Sequence, residues 1–125
     1  MILRVARHTN RLKELKNFYI NILGLSDMGS FSDHDGYDGV FIGKPGLKWH
    51  LEFTQTTEKA KHAFDEDDLL ILYPTNPYEI TTILDTVKRN NLPTYLPKNP
   101  YWQTNGIMIK DPDGFGVIIS LKIGG

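Results

Sequence analysis

One order of predicted elements occurs twice along the 125-residue chain: strand, helix, strand, strand, strand. The first copy covers about residues 1–55 and the second about 69–123, with a polar connector at 56–68. Two copies with a period of about 66 residues indicate a duplicated unit rather than a solenoid array. Because one such sheet leaves a face bare, we expect a single α+β domain over 1–125 whose two βαβββ modules form curved mixed sheets around a cleft.

The first copy begins with a predicted strand over residues 1–8. Asn10 is a predicted helix N-cap, and apolar residues recur at helical spacing from Leu12 to Leu23 before Gly24 ends the helix. Further strands are predicted at residues 25–31, 37–42 and 47–55. A turn is expected at 32–36, and the connector is a loop with a short helix around 58–64 as an alternative.

The second copy has a strong helix start, because Asn76, Pro77 and Glu79 suit the N-cap, N1 and N3 positions. Strands are predicted at residues 69–73, 106–110 and 115–122. Pro93 limits the segment 92–96 to an edge strand. Residues 97–104 are predicted to form a loop, in which Trp102 is either a core residue or stacks on a flat ligand at the mouth of the cleft.

Composition excludes several classes of function. The formal net charge is -1 without a long basic run, which argues against a nucleic-acid partner. The chain has no cysteine, and hence no disulfide or thiolate chemistry. No apolar run approaches the roughly 20 residues that span a bilayer, so no membrane partner is expected. Since the chain also lacks a signal-type leader, we expect a cytoplasmic protein.

The segment from Trp49 to Gln55 alternates as a β-strand does, which places His50, Glu52 and Thr54 on one face. The opposite face carries large apolar side chains and is the predicted packed face. The polar face is then either solvated or part of a cavity. A buried unpaired carboxylate costs several kcal/mol, so within a cavity Glu52 requires a cation, a metal, a proton or a ligand.

Two motifs resemble those of a known superfamily. Phe18-Tyr19 followed by Ile22-Leu23-Gly24-Leu25, and the turn Asp111-Pro112-Asp113-Gly114 before the last strand, resemble signatures of the vicinal oxygen chelate proteins. That superfamily includes glyoxalases, fosfomycin and bleomycin resistance proteins, and extradiol dioxygenases. The resemblance implies two βαβββ modules, a small-molecule ligand and a homodimer.

The resemblance also implies four metal-ligand positions. In this chain they fall on Arg4, Glu52, Leu69 (Leu72 in another register) and Ile118. Only Glu52 is able to ligate, whereas a stable divalent site needs about three protein ligands. We therefore expect no metal and no cofactor, and in place of the metal site either an ion pair between Arg4 and Glu52 across the cleft or a polar patch. An alternative is a shifted metal site of His8, His50 and Glu52.

These residues lead to three functional hypotheses. The first is a metal-free small-molecule binding protein, similar to the bleomycin resistance proteins, in which Trp102 covers a polar or charged ligand. Its predicted ligand contacts are Arg4, His8, His50, Glu52 and Trp102. The second is a lyase, transferase or dioxygenase of the same superfamily that uses a shifted metal site. The third is a structural or partner-binding domain with a vestigial cleft. No catalytic residue is assigned.

Overall fold

The computed structural model describes residues 1–125 and has an α+β fold, as predicted. The chain forms two compact units, Met1–His62 and Ala63–Gly125, and each unit contains one sheet. No helix is both long and apolar enough to cross a bilayer. The repeated pattern in the sequence therefore corresponds to two separately packed sheets.

The first unit contains one helical segment and a four-stranded sheet. Its elements are β1 (Leu3–His8), α1 (Leu12–Asn17) continuing as a π-helical segment (Phe18–Ile22), β2 (Ser26–His34), β3 (Tyr37–Gly43) and β4 (Trp49–Gln55). The strand order is β1-β4-β3-β2, with β1 parallel to β4 and the other neighbours antiparallel. This is the predicted βαβββ order.

The helical segment covers one face of this sheet, where it contacts β3 and β4. Tyr19, which is 1% exposed, stacks on Phe53 with ring centroids 5.0 Å apart. Leu51, two residues earlier on β4, is also buried. Alternate residues of β4 therefore form the predicted packed face, and His50, Glu52 and Thr54 point to the opposite face.

The predicted role of Asn10 as a helix N-cap is wrong. Arg11 holds the N-cap position of α1, and its side chain makes no capping hydrogen bond. The Asn10 side chain instead exchanges two hydrogen bonds with the backbone of Ala60, at 2.8 and 3.1 Å. Gln55 Oε1 accepts from the Leu12 N–H at 3.1 Å and so satisfies one free donor of the helix start.

The end of β2 differs from the prediction, whereas the connector is a loop as predicted. Strand β2 continues to His34, because Asp35 and Gly36, both with positive φ, suffice for the turn. The connector forms no helix. The connector is hydrogen-bonded to the end of β1, since the His62 Nε2 donates to the carbonyl of His8 at 2.7 Å.

The second unit contains β5 (Leu69–Leu72), α2 (Pro77–Arg89), α3 (Pro100–Asn105), β6 (Gly106–Lys110) and β7 (Gly116–Ser120). The strand order is β5-β7-β6, with β5 parallel and β6 antiparallel to β7. The predicted start of α2 is confirmed, because the Asn76 side chain accepts from the Glu79 N–H at 2.8 Å.

The predicted edge strand at 92–96 is reduced to a single bridge between Tyr95 and Met108. Pro93 and Pro97 have no N–H and cannot extend a ladder on either side. The predicted loop at 97–104 is also wrong, because residues Pro100–Asn105 form the short helix α3. Asn99 caps it by accepting from the Tyr101 N–H at 3.0 Å.

Trp102 is a core residue of the second unit. It is 7% exposed and packs with Met108 and Ile118, and the partly buried Leu69 and Ile71 pack against this cluster. A Cβ at Gly106 would lie 3.0 Å from the Trp102 ring and 2.6 Å from the Ile118 side chain. Glycine at the start of β6 is therefore what allows the indole to lie against the sheet.

Candidate functional site

Strand register brings polar side chains of β1 and β4 together in the first unit. Arg4 lies opposite His50, Ala6 opposite Glu52, and His8 opposite Thr54. Partners in a parallel pair point to the same face, and α1 covers the other one. We call this surface the polar face; its polar side chains are Arg4, His8, His50, Glu52 and Thr54.

Arg4 is the centre of the polar face. Its Nε donates to His50 Nε2 at 2.7 Å, and its Nη1 donates to Glu52 Oε1 at 3.2 Å. The guanidinium carbon also lies 4.6 Å from the centroid of the Phe41 ring, a cation–π arrangement. The predicted ion pair is therefore confirmed, but it joins adjacent strands of one sheet and not the two sides of a cleft.

The hydrogen bonds also define the chemical state of the cluster. His50 Nε2 accepts from a guanidinium, so it carries no proton, and the neutral ring has its N–H at Nδ1. The side chain of Glu52 is 18% exposed and that of Arg4 is 51% exposed. The Glu52 carboxylate is thus paired with the Arg4 cation at a position partly shielded from solvent. This pairing supplies the cation that the sequence analysis requires for Glu52.

His8 is held by hydroxyl groups rather than by the ion pair. Its Nδ1 lies 2.8 Å from Thr54 Oγ1, and its Nε2 lies 3.1 Å from Thr56 Oγ1. The structure contains no group of three or more His, Cys, Asp or Glu side chains that could hold a metal ion. The alternative metal site of His8, His50 and Glu52 is therefore not assembled.

The four superfamily metal positions do not fit a divalent ion. The Arg4 guanidinium already occupies one oxygen of Glu52, and it would repel a cation beside it. Leu69 is apolar, and Ile118 is fully buried in the core of the second unit. A single carboxylate paired with arginine offers far fewer ligands than Ca²⁺ or Zn²⁺ requires.

Two phenylalanines beside the ion pair were missed in the sequence. Phe41 lies opposite Glu52 on β3, and its ring centroid is 6.0 Å from that of His50. Phe31 on β2 lies 5.7 Å from Phe41, centroid to centroid. Its ring covers Gly39, where a Cβ would collide with it. The alternation of glycine and aromatic residues from Tyr37 to Gly43 is the signal that could have revealed this aromatic edge.

The other predicted site residue, Trp102, belongs to the core cluster described above. Two cavities, of about 430 Å³ beside α1 and about 390 Å³ in the second unit, are lined by none of the predicted site residues. The candidate site is therefore an exposed sheet face defined by its chemistry, and not one of these concavities.

Comparison with known proteins identifies the relatives of this chain. Residues 3–54 match the YycE-like N-terminal domain family, and residues 67–120 match the YycE-like C-terminal domain family. Uncharacterized protein YycE of Bacillus subtilis (strain 168) is 39% identical over 120 residues, which covers 93% of this chain and 84% of that protein.

Solved structures give the same result. A crystal structure of a YycE protein of unknown function from Bacillus subtilis matches with a TM-score of 0.88 and 37% identity, over 99% of this chain and 91% of that one. Glyoxalase I of Leishmania major matches with a TM-score of 0.73 and 17% identity, over 96% of this chain and 85% of that one.

The fold is thus that of the vicinal oxygen chelate class, which comprises glyoxalase, fosfomycin-resistance and bleomycin-resistance-type proteins. This confirms the resemblance inferred from the two sequence motifs. Within that class, the chain belongs to the YycE-like family.

Proposed function

We propose that this protein binds a small molecule on the polar face of its first unit without using a metal ion. The observation that carries the proposal is the position of the Arg4 guanidinium, which bonds both His50 and Glu52 at the place where the superfamily pattern would require a metal ligand. A charged group fixed by two partners on rigid strands suits recognition, because little ordering remains for a ligand to impose.

The cluster retains hydrogen-bonding capacity towards a ligand. Arg4 uses Nε and Nη1 within the cluster, and its Nη2 makes no bond to another residue of the protein. The same holds for the Nδ1–H of His50 and for Oε2 of Glu52. Two donor groups and one acceptor of the cluster are therefore not used within the protein, and such groups complement amide-like or hydroxyl groups of a ligand. His8 adds an imidazole at the other end of the face.

The enzyme hypothesis is less well supported by this geometry. One fold of this kind hosts many chemistries, so family membership does not select a reaction. No three metal-ligating side chains converge. Arg4 also blocks one oxygen of Glu52, which would be the metal ligand or general base in such an enzyme. A lyase, transferase or dioxygenase therefore stays the alternative to binding alone.

A compound screen tests the proposal. Thermal unfolding is followed in EDTA with a library of small molecules, on wild type, Arg4→Met and the control Arg89→Met, an exposed arginine at the end of α2. A ligand at 100 times its Kd stabilises by about 2.7 kcal/mol, enough for a clear shift in Tm. We expect stabilising compounds for wild type and Arg89→Met but not for Arg4→Met. The proposal fails if no compound stabilises wild type, or if Arg4→Met keeps every response.

Calorimetry with divalent metals tests the metal-free part. Titration of wild type with Zn²⁺, Mn²⁺, Ni²⁺ and Mg²⁺ is expected to give no tight one-to-one heat, because Glu52 is paired with Arg4. A tight heat that Glu52→Gln abolishes would favour the enzyme alternative.

Homodimer formation and a cytoplasmic location stay predictions from the resemblance and the sequence. Sedimentation equilibrium is expected to return twice the 14.3 kDa mass of the chain. A monomer at micromolar concentration would contradict the dimer, and fractionation of expressing cells tests the location.

A further inference from the structure

We propose that the polar face selects neutral, planar aromatic ligands over anionic ones. This inference rests on the proposed function and adds the class of ligand. It follows from two features of the first unit: the charge balance of the Arg4–Glu52 pair, and the aromatic edge next to it, formed by Phe41 and Phe31.

The charge balance disfavours an anion. Arg4 carries one positive charge and Glu52 one negative charge, with Nη1 and Oε1 3.2 Å apart. His50 is neutral, because its Nε2 accepts from Arg4. A carboxylate or phosphate that approaches Arg4 therefore also approaches Glu52, and it gains little net attraction. A neutral group with a donor and an acceptor pairs with both without displacing either.

The aromatic edge favours a flat ring. The guanidinium carbon lies over the Phe41 ring, 4.6 Å from its centroid, and half of the Arg4 side chain is exposed, so a flat ring is able to approach Arg4 from solvent. Phe41 and Phe31 extend this apolar surface away from the ion pair. Gly39 leaves room for the Phe31 ring, because a side chain at position 39 would displace that ring.

The two features lie next to each other on the same face. Phe41 is the register partner of Glu52, and its ring is within 6.0 Å of the His50 ring, centroid to centroid. A ligand that stacks on the Arg4 guanidinium therefore has its polar edge at Glu52 and His50 and its apolar body towards Phe31. A fused aromatic carboxamide has this shape and charge.

The test compares three probes: naphthalene carboxamide, naphthalene carboxylate and cyclohexane carboxamide. Each is titrated in EDTA into ¹⁵N-labelled wild-type protein, and the backbone amide signals of Arg4, Phe41 and His50 are followed. We expect naphthalene carboxamide to bind about tenfold more tightly than the carboxylate, which differs from it in charge. Cyclohexane carboxamide, which cannot stack, is expected to bind about threefold to tenfold more weakly.

Two variants separate the contributions. Glu52→Gln removes the negative charge, so the preference for the carboxamide over the carboxylate is expected to disappear or reverse. Phe41→Leu removes the ring beneath Arg4 and is expected to weaken naphthalene carboxamide about threefold to tenfold. Tyr78→Leu, which removes an exposed ring of α2, is the matched control and leaves the affinity unchanged.

The outcomes distinguish this inference from the proposed function. If naphthalene carboxylate binds as tightly as the carboxamide, or if cyclohexane carboxamide binds equally well, the ligand class is wrong but the binding site stands. An unchanged preference in Glu52→Gln would also refute the charge argument. If no probe shifts these signals up to its solubility limit, the inference fails, and the compound screen then decides whether the proposed function fails with it.

Discussion

A double-mutant cycle on Arg4 and Glu52 gives the most informative stability prediction. The two groups share one hydrogen bond of 3.2 Å, and Arg4 has two further contacts that Glu52 lacks: 2.7 Å to His50 Nε2 and 4.6 Å to the Phe41 ring. Arg4→Met therefore removes three interactions. Glu52→Gln removes one charge and retains an oxygen that accepts from Nη1.

The expected magnitudes follow from these contacts. An exposed ion pair contributes about 0.2–1 kcal/mol, a hydrogen bond about 1 kcal/mol, and an exposed cation–π contact about 0.5–1 kcal/mol. Because the Arg4 side chain is 51% exposed, water replaces part of this, and we expect Arg4→Met to cost about 1–2 kcal/mol. For a chain of this size that corresponds to a fall in Tm of about 4–8 °C. Glu52→Gln is expected to cost less than about 1 kcal/mol.

Urea denaturation followed by circular dichroism measures all four species of the cycle. The coupling energy between Arg4 and Glu52 is expected at about 0.2–1 kcal/mol, and Arg89→Met, the exposed control, is expected within about 0.5 kcal/mol of wild type. The reasoning is refuted if the coupling is zero and Arg4→Met costs no more than Arg89→Met. Arg4 would then not be a partner of Glu52 in solution.

Three further predictions test other parts of the structure. Trp102→Leu is expected to lower the free energy of unfolding in urea by about 2–4 kcal/mol, because it leaves a cavity in a core cluster. Ligand binding on the polar face is expected to be retained. A loss of binding without a loss of stability would instead support the predicted ligand-covering role of Trp102. Asn10→Ala is expected to cost about 1–2 kcal/mol and to speed hydrogen exchange of the Ala60 amide, which donates to Asn10 Oδ1; unchanged exchange would contradict the fastening of the connector. The hydrogen bond from the Gly29 N–H and the contact with Lys16 lower the pKa of Asp27, so its stabilising effect is present above about pH 4 and lost as pH falls through the lower folded value. In acid titrations the stability difference between wild type and Asp27→Asn is therefore expected to shrink below about pH 4, and a difference that stays constant would contradict this assignment.

The larger elements were predictable because each has a local cause. Alternation on β4 separated Leu51 and Phe53 from His50 and Glu52, and the burial of the first two follows that pattern. The start of α2 was predictable because the Asn76 side chain accepts a hydrogen bond from the N–H of Glu79, only three residues further along the chain. The ion pair required only the register of β1 against β4, which the superfamily pattern implied.

The errors have different causes, and only one of them is a contact between residues distant in sequence. Asn10 is a residue type that favours the N-cap position, but its side chain forms hydrogen bonds with Ala60, 50 residues away. Helix α3 was missed although Asn99 and Pro100 form the same N-cap and N1 pair that marks α2, because six residues are too few to show a helical apolar period. Phe41 was overlooked because glycines on either side of it reduce the apolar signal of β3.

The most direct test of the central claim is what lies next to the Glu52 carboxylate when metal is offered. A crystal structure from protein grown with excess Zn²⁺ or Mn²⁺, with anomalous data at the metal edge, measures this. We predict the Arg4 guanidinium at about 3.2 Å from Glu52 Oε1, as here, and no anomalous peak beside it. An anomalous peak within about 2.0–2.3 Å of a Glu52 oxygen, with Arg4 turned away, would contradict metal-free recognition.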